Sequence, residues 1–202
     1  NDLIYIKSLI LTLNIWYNIV LYKKEIKLYY FEIKSFLKNH SHIEAIYEEF
    51  HKKSHLSQNK IGVSFPYQNN GLLNSIRFFS KNADILKSLK LSEFFEDLSD
   101  NDDFLVSNIK EVPEGSIPIK LKRARVDITF RFNRIKKDKL INTKHIFKDG
   151  VLKEIFYLKV NSFSTNKSCS LFYTYDKVED LKNNGAFSSY GFSKENSYVY
   201  HF

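Results

Sequence analysis

YYFEIKSFL at 29–37 mixes aromatic and branched residues and predicts a strand. Ser41 stands three residues before Glu44, the spacing of a capping box, so a helix is expected to begin there. Ile43, Ile46, Tyr47 and Phe50 follow at helical spacing and would face a core. KIGVSFP at 60–66 predicts a short strand closed by Pro66, and SIRFFS at 75–80 predicts another. Asn69, Asn70 and Gly71 between them mark a turn. Asn82 can cap a helix running to about Lys90, with Ile85, Leu86 and Leu89 turned inward, and FLVSNIKEV at 104–112 predicts a further strand. The order strand, helix, strand, strand, helix, strand is that of a split βαβ, ferredoxin-like domain in an α+β protein. That fold hosts many functions and specifies none.

Gly115, Ser116 and Pro118 read as a linker, which divides the chain into an extension at 1–27, a ferredoxin-like domain at 28–113 and a smaller basic C-terminal region at 114–202. Beyond the linker the pattern is less regular. Val126, Ile128, Phe130 and Phe132 alternate with polar residues at strand spacing, whereas 131–140 fits a charged helix equally well. IFYLKVNSF, SLFYTY and SYVYHF, from 155 onward, read as strands.

Charge changes this picture because it is concentrated. The 202-residue chain carries a net +8, and residues 119–140 alone hold nine Lys or Arg against two Asp. Only five of its 31 basic residues are arginine, and four of these, Arg123, Arg125, Arg131 and Arg134, fall within twelve positions beside Lys136, Lys137 and Lys139. The guanidinium fork donates paired hydrogen bonds to phosphate or to a guanine edge, which lysine cannot do. Such a segment is the electrostatic footprint of a nucleic-acid partner, although charge runs are more often simply solvated faces. Residues 93–103 are the converse, with six acidic side chains and no basic one.

Apolar residues make up 43% of the chain, enough for a packed core. Cys169 is the single cysteine, so no intrachain disulfide can form, and a reducing cytoplasm is the expected compartment. No His or Cys cluster has zinc spacing. His51 and His55 stand four apart, but no third ligand accompanies them, and no metal or cofactor is expected. Residues 3–22 are about long enough to span a bilayer but contain Lys7, Asn14 and Asn18, each costly in lipid, which argues against a membrane anchor. An extra packed helix, or translation upstream of the natural start, accounts better for that stretch.

Two segments carry a family likeness. KIGVSFP at 60–66 and GAFSSYGFSKENS at 185–197 resemble, in order and position, the blocks of the type I-F CRISPR repeat-processing endoribonucleases. LKVNSFSTNKSCSLFY at 158–173 resembles the Ser-x-Ser-Thr segment of that family, and LKRAR at 121–125 the entry to its arginine-rich helix. The resemblance covers about 28–202. It implies a metal-independent endoribonuclease that binds the stem-loop of CRISPR repeat RNA, cuts at its base, keeps the product and joins other subunits of an effector complex. It also implies an active site of His51, eleven residues before Gly62, with Ser162 and Tyr190, while Ser164 and Thr165 complete the serine segment. The family's base-reading pair falls on Arg123 and Arg125, with arginine at 125 in place of glutamine, and its stem-stacking aromatic falls near Cys169.

The chemistry implied needs no metal, because RNA supplies its own nucleophile in the 2′-hydroxyl beside the scissile phosphate. The protein must add geometry, a proton acceptor and charge stabilisation. Histidine, with an ordinary pKa near 6.5, suits the acceptor role. Ser162 would hold the ribose, and Tyr190 would orient His51 or the phosphate. Without the resemblance, each of these residues is an ordinary helical histidine, strand serine or half-buried aromatic. A module that binds guide RNA without cutting it is the alternative.

Overall fold

The computed structural model describes residues 27–37, 41–54, 57–66, 73–124, 143–148, 151–161, 167–178, 185–194 and 197–202. The strand-and-helix order predicted for the first half is present. Strand β1 (Tyr29–Ser35) leads to helix α1 (Ser41–Ser54), strands β2 (Gly62–Ser64) and β3 (Ser75–Ser80), helix α2 (Ala83–Lys90) and strand β4 (Phe104–Val106). The strands lie in the order β2-β3-β1-β4, with every pairing antiparallel, which is the ferredoxin-like arrangement. Asn82 caps α2 by accepting from the Asp84 N–H at 2.8 Å.

Two local expectations are corrected, and one helix is added. The strand expected at 104–112 is two pieces, β4 and β5 (Lys110–Glu111), both paired with β1. The register runs from Ile33 opposite Val106 to Tyr30 opposite Lys110, so three steps on β1 meet four on its partner, and the extra residue is a bulge. The acidic stretch contains a helix, α3 (Glu93–Ser99), held down by buried Phe95 and Leu98. Pro118 is not in a linker. The turn closes within Pro113–Ser116, where the Ser116 hydroxyl donates to the Pro113 carbonyl at 2.6 Å, and β6 (Ile117–Arg123) includes Pro118.

Strand β6 belongs to a second antiparallel sheet with β7 (Thr143–Lys148), β8 (Val151–Asn161), β9 (Ser168–Lys177) and β10 (Val199–His201), in the order β10-β6-β9-β8-β7. The expected strands at the C-terminal end are all present. The segments read as strand or helix at 126–132 and 131–140 lie outside the described residues, as does 3–22. Among the described residues no helix is long and apolar enough to cross a membrane.

Helix α1 joins the sheets. Its buried stripe, Ile43, Ile46, Tyr47 and Phe50, packs into a core that also holds Phe31, Ile33 and Phe78 of the first sheet and Leu158, Leu171 and Tyr173 of the second. Two carboxylates outside that stripe are anchored too. Glu44 accepts from the Lys159 N–H at 2.8 Å, and Glu48 accepts from the Asn161 amide at 3.1 Å. The Tyr175 hydroxyl of β9 donates to the Phe65 carbonyl at 2.8 Å, and desolvation pushes its pKa up, so it stays a donor.

Strand β3 is buried along its whole length because both of its faces are covered. Ile76 and Phe78 face the main core, while Phe79 packs with Leu28, Phe187 and Val199 on the other side. Arg77 lies on that second side. It pairs with Glu32 at 2.8 Å, donates to the Phe202 main-chain oxygen at 2.9 Å and stacks 3.9 Å over the Phe202 ring. The one arginine outside the basic segment therefore ties the C-terminal strand to the first sheet.

Gly62 marks how closely that covering layer approaches. A β-carbon there would stand 2.4 Å from the Phe187 ring and 2.8 Å from Val199. Gly62→Ala is therefore expected to cost about 1–3 kcal/mol, the range for overpacking a tight interior. Urea unfolding measures this directly. An unchanged midpoint would mean that Phe187 is not seated against β2.

Candidate active site

Three pieces of backbone meet at the last turn of α1. The first is the turn itself, which carries His51. The second is the loop after β9, where Phe187 bridges to Ser193 and the Gly191 N–H donates to the Ser188 carbonyl at 2.9 Å, closing a tight turn. The third is the end of β6, which carries Arg123. Gly191 has φ +72, and a β-carbon there would meet Val63 at 2.9 Å and Phe50 at 3.0 Å, so only glycine lets the turn sit this deep. The turn is fastened on two sides: the Val63 N–H donates to the Gly191 carbonyl at 3.0 Å, and the Ser193 N–H to the Leu121 carbonyl at 2.8 Å.

The turn presents Ser189 and Tyr190 to the half-buried His51. The Nδ1–H of His51 donates to the Ser189 carbonyl at 2.9 Å. A carbonyl oxygen can only accept, so this bond places the proton on Nδ1 and leaves Nε2 with its lone pair in the neutral ring. The imidazole lies against the Tyr190 ring, with centroids 4.3 Å apart and planes 16° from parallel. The Arg123 guanidinium stands 5.8 Å from the same tyrosine ring, within the range of cation–π attraction. A base with an available nitrogen, an aromatic plate behind it and an exposed cation beside the plate can take a proton from a hydroxyl next to a phosphate.

Of the residues singled out in the sequence, the structure brings His51, Tyr190 and Arg123 together. Ser162, Ser164, Thr165, Arg125, Arg131, Arg134, Lys136, Lys137 and Lys139 lie outside the described residues, as does His55. Asn161, immediately before Ser162, is the residue tied to Glu48, three positions before His51 on α1. Among the described residues no three His, Cys, Asp or Glu side chains gather as a metal site would require. Cys169 is a free, exposed thiol.

Sequence reasoning passed over Tyr47 and Ser54. Both lie on the buried face of α1, and both hydroxyls reach the 189–190 turn. The available signal was a polar residue, Ser54, continuing the helical spacing of Tyr47 and Phe50.

No curated protein matches the chain. The family described as CRISPR-associated protein (Cas_Csy4) matches residues 30–202, which takes in both sheets, α1 and the 185–193 loop. The chain belongs to this family of CRISPR-associated, repeat-processing endoribonucleases of the type I-F system.

Proposed function

We propose that the chain binds the stem-loop of CRISPR repeat RNA and cuts it at its base without a metal. The observation that carries this reading is His51 stacked on Tyr190 with its Nδ1 held 2.9 Å from the Ser189 carbonyl, which leaves Nε2 without a hydrogen bond among the described residues. Nε2 takes the proton of the 2′-hydroxyl. The 2′-oxygen attacks the adjacent phosphorus, the bond to the 5′-oxygen breaks, and that oxygen leaves as a 5′-hydroxyl by taking a proton from water, while the imidazolium returns its own proton to solvent. The other product is a 2′,3′-cyclic phosphate. Tyr190 holds the imidazole plane. Ser162 fixes the ribose, a role supported by the tie between its neighbour Asn161 and the helix of His51.

The basic segment supplies the grip on the stem. Arg123 is the part of it whose position supports this best, since its guanidinium lies beside Tyr190. In that position it would read the base next to the cleaved phosphate, with Arg125 reading the next. Arg131, Arg134, Lys136, Lys137 and Lys139 would neutralise the stem backbone, and Ser164 and Thr165 would bind beside Ser162. Retention of the cut RNA and assembly with other subunits of an effector complex, in a reducing cytoplasm where Cys169 stays a thiol, complete the proposal.

His51→Ala should slow single-turnover cleavage of a repeat hairpin by about 10²–10⁴-fold, the usual worth of a general base, with affinity unchanged within a few-fold. EDTA should leave the wild-type rate unaltered. Cleavage by His51→Ala at the wild-type rate, or loss of activity with EDTA, would remove this mechanism.

Replacing Arg131 and Arg134 with Ala should weaken binding to every stem sequence alike. It should also reduce the slope of log affinity against log salt by about one for each lost phosphate contact. An unchanged slope would place the phosphate-binding surface elsewhere.

A further inference from the structure

The peptide turn that holds His51 is itself held by two buried hydroxyls from the histidine's own helix. Tyr47, fully buried, donates its hydroxyl to the Tyr190 carbonyl at 3.0 Å. Ser54, 2% exposed, directs its hydroxyl to the Ser189 carbonyl at 2.5 Å, with a longer contact of 2.9 Å to the His51 carbonyl. The Ser189 oxygen thus accepts from both the Ser54 hydroxyl and the His51 ring. Tyr47, His51 and Ser54 stand at i, i+4 and i+7, on one face of the helix. We propose that Tyr47 and Ser54 are positioning residues, which lock the Ser189–Tyr190 peptide against α1 and so fix both the proton on His51 Nδ1 and the plate on which the ring stacks.

The argument rests on what each hydroxyl could do otherwise. Tyr47 already packs its ring against Phe65, Phe50 and Phe192, so a phenylalanine would fill the same space. Its oxygen adds the bond to the Tyr190 carbonyl. Burial, with Tyr190 a smaller contributor, raises the Tyr47 pKa well above the usual tyrosine value, so it remains a donor at any pH at which RNA survives. A serine in a helix can satisfy its hydroxyl within its own turn, as the contact to the His51 carbonyl shows, yet Ser54 reaches the Ser189 carbonyl by the shorter bond. Without it, that carbonyl keeps one donor, the imidazole. The turn could then swing away and leave the neutral ring to choose between its two tautomers. The Nδ1–H form has the basic nitrogen at Nε2; the other form does not.

This inference rests on the nuclease reading for its consequence in rate, but not for its consequence in the tautomer. Tyr47→Phe and Ser54→Ala each delete a single oxygen. Each is expected to lower the single-turnover rate at saturating hairpin about tenfold, the worth of one hydrogen bond, with hairpin affinity unchanged within about twofold. Long-range ¹H–¹⁵N spectra of histidine-labelled protein without RNA should show His51, assigned by its absence in His51→Asn, as the Nδ1–H tautomer in the wild type. In Ser54→Ala it should be a mixture. A thermal unfolding curve for each variant verifies that the compared species are folded. Unchanged rates, or rate and affinity falling together with the tautomer intact, would overturn the positioning role. A wild type that cuts no repeat hairpin would instead count against the nuclease reading, and the spectra alone would then decide the positioning: a mixture in Ser54→Ala supports it, and an unaltered tautomer overturns it.

Discussion

The structure depends on the burial of one helix face. Ile43, Ile46, Tyr47 and Phe50 are at most 1% exposed, and each fully buried apolar side chain of this size is worth about 1.5–3 kcal/mol. Their neighbours come from both sheets. Phe50 packs against Phe78 of the first, with ring centroids 5.1 Å apart. Tyr47 reaches Phe65 at 5.6 Å, and Phe65 in turn meets Tyr173 of the second at 5.1 Å. Because α1 is clamped from both sides, its last turn is a fixed platform. Functional geometry built on such an element is more precise than geometry on a loop alone.

The other half of the site is on a loop, and the structure compensates for that. The 188–193 loop has hydrogen bonds to β2 and β6 as well as to the hydroxyls of α1. Gly191 permits the close approach, and Phe187 and Val199 cover the far side of β3. The histidine's hydrogen bond to a backbone carbonyl, rather than to a carboxylate, suits an RNA site. It sets the tautomer without placing a negative charge next to a phosphate that must be brought close.

The sequence was informative where a single physical rule governed the local choice. SIRFFS became β3 to the residue, and Asn82 became the cap of α2. Reading failed where two effects competed. The acidic run at 93–103 was assigned no element, because its charge hid the two apolar residues, Phe95 and Leu98, three apart, that seat a helix. The bulge between β4 and β5 arises from register against β1, a long-range property that no local pattern encodes. Strand β7 was missed although Asp149-Gly150, a tight-hairpin pair, separates it from β8. Within the candidate site, Tyr190 was singled out because a family block contains it, and His51 by its spacing of eleven residues before Gly62 of another. Arg123 was identified by charge clustering, and its nearness to Tyr190 could come only from the pairing of β6 with β9 and the return of the 187–193 loop. Tyr47 and Ser54 resembled core residues because they are core residues; only their oxygens belong to the site.

The central claim is that the RNA's own 2′-hydroxyl is the nucleophile and that His51 removes its proton. A repeat hairpin carrying a single 2′-deoxy nucleotide immediately 5′ of the scissile phosphate tests this most directly, because the protein and every phosphate contact are left unchanged. The account predicts that this RNA binds as tightly as the unmodified hairpin and is not cut. Cleavage of the deoxy hairpin at that position would show that water or a protein group attacks instead, and would contradict the account.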